Sequence, residues 1–335
     1  MTSVKQFRIE REPTATQFGR GSFVFTDAYS VFDWGEMPDR IPEKGRCLCT
    51  TGAATFESLE AAGISTHYRG VIQEGRAVPL GEVSAPPREM AIDLTEVPEL
   101  PFDGEGYRYE CYHDDAHSHY LIPLEIVFRN RIPPNSSMRD RRMPADVGLD
   151  QASWPNETVA LAEPVIEFST KFESTDRYVS REEATKMAGR ADVDAIETVA
   201  REVNEHINAR AASVDLVHED GKIECLYHDG EIVVADVVGT FDENRFRFEG
   251  RPVSKEVLRR FYRDAAPEWI DGIDRAKRID PVKWRSTCST SPPPLPKRLV
   301  SSVSELYQAG TNQYTGANWF DAPPLGRVLA GLEAQ

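Results

Sequence analysis

The segment from Lys222 to Asp236 places one lysine and two carboxylates where they could bind a nucleotide. Two β-branched apolar runs flank His228-Asp229-Gly230, which predicts a β-hairpin with glycine at a position of positive φ. With a three-residue loop, Lys222 pairs with Asp236, and both side chains share one sheet face with Glu224. A two-residue turn would send Asp236 to the opposite face, so we expect the three-residue register.

Two carboxylates and a lysine on one face suit a magnesium ion and a polyphosphate. Magnesium prefers hard oxygen ligands, and an ammonium group neutralises phosphate charge. A salt-bridged, half-exposed pair of strands is the alternative, and the hairpin alone does not exclude it. Glu224 and Asp236 are therefore the candidate metal ligands of a candidate nucleotide site.

Composition limits the class of protein. The chain has 335 residues, 40% of them hydrophobic, enough for one large domain or two ordinary ones. It contains no apolar run near the roughly 20 residues that cross a bilayer and no signal-like start, so we expect a cytoplasmic protein with no membrane partner. The net charge of −16, with only nine lysines among 39 basic residues, argues against nucleic-acid binding and resembles proteins from high-salt cells.

Further candidate residues lie outside the hairpin. Loops at strand ends commonly present reactive groups, and Asp27 and Ser30 follow a predicted strand, although such residues also make ordinary turns. Arg129 ends a buried strand that leads to a hydroxyl-bearing turn at Ser136, and guanidinium can bind two phosphate oxygens at once. An arginine pair on an acidic surface is the competing interpretation.

Lysines and acids elsewhere add to the set. Because lysine is rare in this chain, Lys44, Lys171 and Lys255 draw attention, although Lys171 in a polar loop could simply be solvated. The segment Asp242–Arg245 follows the hairpin by a few residues, so its charges lie near those of Glu224 and Asp236. His113, His117 and His119 form the densest histidine cluster, but their spacing matches no strong metal signature, and solvated loop histidines are the favoured interpretation.

The pattern of elements predicts an α+β fold in three parts. Residues 1–118 read as an N-terminal antiparallel α+β unit that contributes to a nucleotide cleft. Residues 119–290 read as a sheet-and-helix unit for substrate and metal, with a strand over 120–128, a long amphipathic helix over 192–212 and the hairpin. Residues 291–335 read as a Pro-rich spacer and a final helix over 297–308 that packs back on the fold.

In order along the chain, these segments resemble the SAICAR synthetase (phosphoribosylaminoimidazole-succinocarboxamide synthase) family. Thr26–Asp33 and Ile41–Gly45 look like the family's Thr-Asp-Arg-Ile-Ser-Ala-Phe-Asp and Ile-Pro-x-Lys-Gly. Glu125–Arg131 with Ser136 looks like its Glu-x-Val-Val-Arg-Asn-Arg strand and Gly-Ser turn. The hairpin and the segment after it are similar to Lys-x-Glu-Phe-Gly, Asp-Glu and Pro-Asp-x-x-Arg, and the segment with Tyr307 is similar to the end of longer members.

The resemblance implies an ATP-dependent ligase of purine biosynthesis. Such an enzyme joins L-aspartate to the carboxylate of 5-amino-1-(5-phosphoribosyl)imidazole-4-carboxylate through a carboxyl phosphate, and it yields SAICAR, ADP and phosphate. It implies an antiparallel unit packed on a larger mixed unit, with ATP and Mg²⁺ in the cleft between them. The oligomeric state is not implied.

The resemblance also assigns roles to individual residues. Lys222 and Asp242 would be catalytic, and Glu224 and Asp236 would hold the metal. ATP would contact Lys5, Lys222, Glu224 and Asp236. The other substrates would contact Asp27, Ser30, Lys44, Arg129, Ser136, Lys171 and Arg245.

The chain departs from the family pattern at several places, including one residue added before Asp242. The family's Gly-Lys pair on the first strand is represented by Lys5 without the glycine, the acid after the metal aspartate is Val237, and the glycine of the arginine loop is Asn135. These departures indicate a divergent branch resembling that of high-salt archaea. They leave open a nucleotide-binding homologue without this activity, or a ligase with altered substrates.

Overall fold

The computed structural model describes residues 4–280 and 283–334, which form two antiparallel sheets with helices packed around them. The five-stranded sheet has the order β1-β2-β5-β3-β4 and consists of β1 (Lys5–Arg11), β2 (Gly19–Phe25), β3 (Tyr68–Gln73), β4 (Arg76–Val78) and β5 (Glu89–Leu94). The α+β prediction is confirmed.

The seven-stranded sheet carries most of the charged candidates. Its order is β12-β11-β9-β6-β7-β8, with β10 paired to β9. Its strands are β6 (His119–Ile132), β7 (Val159–Thr170), β8 (Tyr178–Val179), β9 (Leu216–His228), β10 (Glu231–Ala235), β11 (Asn244–Phe248) and β12 (Arg251–Val253).

Nine helices lie in the described ranges. They are α1 (Lys44–Ala61), α2 (Met138–Arg141), α3 (Arg181–Met187), α4 (Val193–Ala212), α5 (Glu256–Ala265), α6 (Pro267–Ile279), α7 (Trp284–Thr287), α8 (Lys297–Thr315) and α9 (Leu325–Glu333). No helix of these ranges combines the length and apolarity needed to span a bilayer.

Helix α4 forms where the spacing of apolar residues predicts it. The Asp192 side chain accepts a hydrogen bond from the Asp194 backbone N–H at 3.0 Å and caps the first turn. Its buried face includes Ile196, Val203 and Ile207, and this face packs on β9 and β6. One side of the large sheet is therefore covered, and the opposite face of β9 is left for the site.

Several helix boundaries differ from the sequence prediction. Helix α1 begins at Lys44 rather than near residue 53. Thr50, Thr51 and Gly52 are weak helix formers, but they are buried in a helix that packs against α8, and packing overrides propensity. The chain also continues helically to Thr315 and again in α9, so the prediction of one final helix over 297–308 is wrong.

The predicted hairpin register is also wrong. Glu231 pairs with His228 and Ala235 pairs with Glu224, so the turn has two residues. Asp229 and Gly230 both have positive φ, 46° and 95°, as a type I′ turn requires, and this twist suits a two-residue hairpin better than a three-residue loop.

The two sheets meet beside this hairpin. The Val234 N–H donates to the Ser65 carbonyl at 2.9 Å, and the His67 N–H donates to the Val234 carbonyl at 3.0 Å. Helix α1 also packs on α8 and α4, so contacts cross between the predicted units 1–118, 119–290 and 291–335. The boundaries of those units stay a prediction.

Candidate active site

Five of the nine lysines gather where the two sheets meet, each in contact with a carboxylate or within the electrostatic reach of one. Rare lysines in an acidic protein are thus concentrated at one place, as a site for polyanions requires. They are Lys5 on β1, Lys44 at the start of α1, Lys171 after β7, Lys222 on β9 and Lys255 before α5.

Lys5 and Asp236 form an ion pair across the cleft between the sheets. Asp236 follows the last residue of β10 and has φ of 60°. The alternation of side chains along the strand therefore does not determine on which face its carboxylate lies. Burial lowers the pKa of Lys5 to about 8, while the nearby Glu224 carboxylate opposes that shift. Glu224 and Asp236 therefore share a neighbourhood despite the incorrect register.

Glu224 and Asp236 have the donor chemistry for a hard cation. Each carboxylate is neutralised by an ammonium group, that of Lys171 for Glu224 and that of Lys5 for Asp236. Two carboxylates completed by phosphate oxygens and water are a common protein contribution to magnesium binding. In residues 4–280 and 283–334 no three His, Cys, Asp or Glu side chains gather as a metal cluster, so the protein would supply only part of the coordination shell.

Lys222 lies at the centre of the exposed face of β9. Its Nζ donates to the Glu125 carboxylate at 2.6 Å and lies 3.6 Å from that of Glu243. Burial opposes its charge, but Glu243 and Glu125 outweigh that cost and raise the pKa of Lys222. The ammonium group stays charged and is available to an incoming anion.

Lys44 and Asp242 form a buried ion pair. The Lys44 side chain is fully buried, and its Nζ donates to the Asp242 carboxylate at 2.6 Å, while the Tyr307 hydroxyl donates to the other carboxylate oxygen at 2.6 Å. Burial acts to raise the pKa of Asp242, but Lys44 and Lys255 with these hydrogen bonds outweigh it and hold the pKa below its usual value. Asp242 is thus fixed as an anion.

Arg129 and Arg245 converge on one carboxylate. Arg129 Nη1 lies 3.2 Å from Asp220, and Arg245 Nε donates to the same carboxylate at 2.7 Å. Arg129 also donates to Glu167 at 2.8 Å and to the Tyr178 hydroxyl at 2.9 Å. Two guanidinium groups are thereby aligned at one end of the face, where they could bind a phosphate.

The Asp27 carboxylate binds a backbone N–H group at the start of α1. It accepts a hydrogen bond from the Gly45 N–H at 3.0 Å and pairs with Arg88 at 2.9 Å, which fixes the start of α1 and hence Lys44. Gly45 has no room for a side chain, because a Cβ there would lie 2.6 Å from the Phe25 carbonyl oxygen. The role of Asp27 toward substrate stays a prediction.

The two predicted serines lie in loops. Ser136 is buried after β6, and its hydroxyl accepts from the Met138 N–H at 3.4 Å; Ser30 is half-buried in the loop after β2. Within the described ranges, neither hydroxyl hydrogen-bonds to the charged groups of the cleft, so their substrate roles also stay predictions.

Beyond Glu224, the face of β9 becomes apolar. Leu226 and the neighbouring Val233 and Ala235 form a small buried cluster, and Leu121 and Phe18, which immediately precedes β2, pack against it. On β1, Phe7 and Ile9 alternate with Lys5 on the same face and are 48% and 55% exposed. Apolar residues therefore adjoin both Glu224 on β9 and Lys5 on β1, and we call the Leu226 cluster the floor and Phe7 with Ile9 the roof.

The histidine cluster does not form a metal site within the described residues. His113 Nε2 lies 2.8 Å from the Lys186 carbonyl, and His117 pairs with Glu96 at 2.7 Å. The expectation of solvated loop histidines is wrong for His119, which is 1% exposed on β6 and bonds Thr95 at 2.6 Å.

Four further residues complete the site, although the sequence analysis assigned them no catalytic or binding role. They are Glu125, Asp220, Glu243 and Tyr307. Period-two alternation along β9 places Asp220 on the same face as Lys222 and Glu224, and this signal was present in the sequence. Glu125 and Tyr307 come from distant elements, and only the fold brings them to Lys222 and Asp242.

Comparison with known proteins gives consistent matches. A family model described as SAICAR synthetase matches residues 14–276. A putative phosphoribosylaminoimidazole-succinocarboxamide synthase of Archaeoglobus fulgidus is 40% identical, with 99% of each chain covered. The solved SAICAR synthase of Saccharomyces cerevisiae, complexed with SAICAR, superposes with a TM-score of 0.62 at 19% identity, covering 95% of this chain and 94% of that chain. A SAICAR synthetase in complex with ADP gives 0.58 at 19% identity, covering 94% and 97%.

The fold, the charged cleft and these matches define an ATP-dependent carbon–nitrogen ligase. The family model covers most of the chain and the relative aligns from end to end. The chain belongs to the SAICAR synthetase family, whose reaction in purine biosynthesis joins L-aspartate to 5-amino-1-(5-phosphoribosyl)imidazole-4-carboxylate at the expense of ATP.

Proposed function

We propose that one face of β9 orders the three substrates of this ligase along its length. Asp220, Lys222, Glu224 and Leu226 alternate onto that face, which spans roughly 20 Å at about 3.4 Å per residue. The ATP base would lie at the Leu226 end between floor and roof, and the ribonucleotide phosphate would lie at the Asp220 end. The reacting carboxylate and the γ-phosphate would then meet near Lys222.

The ATP end combines apolar and charged groups in the order that a nucleotide presents them. Phe7 and Ile9 share the Lys5 face of β1, Leu226 shares the Glu224 face of β9, and Lys5 and Lys171 lie beside the carboxylates of Asp236 and Glu224. We infer that Lys5 turns to the phosphates when ATP binds and that Lys171 leaves Glu224 for the other substrates. Mg²⁺ would then take their place on Glu224 and Asp236 and neutralise charge on the phosphates.

The ribonucleotide end is built from guanidinium groups. Arg129 and Arg245 share Asp220, so their relative position is set before substrate arrives, and a planar guanidinium suits a phosphate through two parallel hydrogen bonds. Ser136 would add a hydroxyl donor. Asp27, Ser30, Lys44 and Lys171 are assigned to the remaining substrate contacts, Asp27 and Lys44 chiefly through the loop and helix start that they fix.

The chemistry needs little more than positioning and charge. The substrate carboxylate attacks the γ-phosphorus and ADP leaves; the aspartate amine then attacks the carbonyl carbon, loses a proton and displaces phosphate. Lys222 would neutralise the carboxylate and the transferred phosphoryl group. Asp242, fixed as an anion, would remain beside Lys255 at the reacting end.

The concentration of five lysines against an acidic background is the observation that carries this proposal. Purified protein should form SAICAR, detected by mass spectrometry, with one ADP per product. Omission of either L-aspartate or the carboxyaminoimidazole ribonucleotide should abolish product. ATP binding with no product under full conditions would instead indicate a homologue without the activity.

A further inference from the structure

A large groove lies on the opposite side of α5 from the active site. It has a volume of about 780 Å³, within the range of small-molecule pockets. Its floor is apolar and formed by α5, α8 and α9, with Val257, Phe261, Leu299, Leu329 and Leu332. None of the residues assigned above to the ligase site lines this groove.

The rim of the groove carries two unpaired cations. Arg260 and Arg298 are exposed, and neither has an ion pair or a side-chain hydrogen bond in residues 4–280 and 283–334. Arg251 on the same rim is already neutralised by Glu249 and lies 3.8 Å from Glu333. The exposed carboxylates of Asp264 and Glu333 also line the groove, so its three arginines exceed its carboxylates by one. In a protein of net charge −16, a net positive lining above an apolar floor is complementary to an anion with an apolar body.

Helix α5 separates the groove from the active site and contacts both. Lys255 immediately precedes it and lies near Asp242 and Glu243, and the Tyr262 hydroxyl lies 2.8 Å from that of Tyr29 in the loop after β2. Helix α8 likewise lines the groove near its start and holds Tyr307 on Asp242. A ligand that shifts α5 or α8 would thus move groups at the reacting end.

We propose that this groove is a second binding site, which takes an organic anion with an apolar body and changes turnover through α5 and α8. The apolar body packs on Phe261 and the leucines, and the anionic group lies between Arg260 and Arg298. The occupant is a small molecule rather than a protein surface, since the groove is concave and its volume of about 780 Å³ suits a small molecule.

A pair of probes tests the chemistry. Anilinonaphthalene sulfonate and N-phenylnaphthylamine share one ring system, but only the first carries an anion. Fluorescence titrations use the full chain, with the ATP cleft saturated by a non-hydrolysable ATP analogue. We expect the wild type to bind the sulfonate at least ~10-fold more tightly than the amine. The Arg260→Gln/Arg298→Gln variant should lose that preference, and the control Arg275→Gln/Arg327→Gln, at exposed arginines outside the groove, should keep it.

Two further measurements complete the test. The sulfonate should change the ligase kcat or a KM at least twofold in the wild type and in the control, but not in the groove variant. Sulfonate binding that is equal in the two double variants would overturn the proposal, as would binding that the ATP analogue displaces. An oligomer that dissociates only in the groove variant, seen by sedimentation, would identify the groove as a contact between copies and would also overturn it.

Discussion

Lys5, the first residue of β1, forms an ion pair with Asp236, which lies just beyond β10 of the other sheet. The Lys5 side chain is 7% exposed and the Asp236 side chain is 21% exposed, so the pair lies inside the cleft and joins its two walls. Each partner has the charge needed by one component of a metal nucleotide: the ammonium suits phosphate, and the carboxylate suits the cation. Both groups are thus held in place in the structure, as the proposed site for ATP and its metal requires.

Replacement of Lys5 by methionine should weaken ATP binding. The variant loses a partly desolvated positive charge beside the phosphates, and charge-assisted hydrogen bonds contribute about 1.5–3 kcal/mol. We expect the KM for ATP to rise about 10- to 100-fold, measured by steady-state titration at saturating aspartate and ribonucleotide. Lys5→Arg should recover part of the loss, and Lys186→Met, at an exposed pair, should match the wild type. An unchanged KM in Lys5→Met would remove Lys5 from the site.

Ile9→Ala should weaken the binding of ATP and leave that of the ribonucleotide unchanged. Ile9 is 55% exposed, so its truncation removes little packing within the folded chain, but it removes part of the proposed roof over the base. A loss of about 1–2 kcal/mol of contact predicts a KM for ATP raised about five- to thirtyfold, with the KM for ribonucleotide unchanged. Phe102→Ala, at a 60% exposed residue far along the chain, is the matched control. Equal behaviour of the two variants would place the base elsewhere.

Asp220→Asn should weaken the binding of the ribonucleotide. Arg129 and Arg245 lose the shared carboxylate that aligns them, so the KM for ribonucleotide should rise at least ~10-fold while the KM for ATP changes less than ~2-fold. The control is Glu219→Gln, because Glu219 precedes Asp220 and pairs with Arg247 at 2.7 Å instead. A rise in the KM for ATP alone would reverse the proposed order of substrates along β9.

Lys44→Met should destabilise the protein in a pH-dependent way. It leaves the Asp242 carboxylate buried without its ammonium partner, and breaking a buried pair costs about 3–5 kcal/mol. Because the folded-state pKa of Asp242 is lowered, its contribution to stability is present above the unfolded pKa of about 4 and disappears as the pH falls through the folded value. Urea unfolding should therefore show a large deficit at pH 7 that shrinks below about pH 4.

That stability test needs a reference at the surface. Lys186→Met removes an exposed lysine that pairs with Glu182 one turn away on α3, and it should leave unfolding nearly unchanged at every pH. A deficit in Lys44→Met that persists unchanged at acid pH would mean that lost packing, rather than lost charge pairing, causes it.

The sequence predicted those parts of the fold and site that depend on local pattern. The apolar spacing of α4 and the alternation of β9 both led to correct expectations, because each is written within one segment. The rarity of lysine singled out residues that the structure brings together, and their roles stay predictions. The hairpin register was wrong because Asp229 adopts a positive φ, which aspartate tolerates better than most residues, and this allowed a two-residue turn. The contacts of Glu125 with Lys222 and of Tyr307 with Asp242 join residues far apart in the chain, and no local pattern encodes them.

The dependence of turnover on magnesium concentration tests the central claim most directly. Glu224→Gln and Asp236→Asn each remove one proposed metal carboxylate, and Glu231→Gln removes an exposed carboxylate from the same hairpin. At saturating substrates we expect the half-saturating Mg²⁺ concentration to rise at least ~10-fold in the first two variants and to stay at the wild-type value in the third. Wild-type magnesium dependence in both Glu224→Gln and Asp236→Asn would contradict the assignment of ATP and its metal to this cleft.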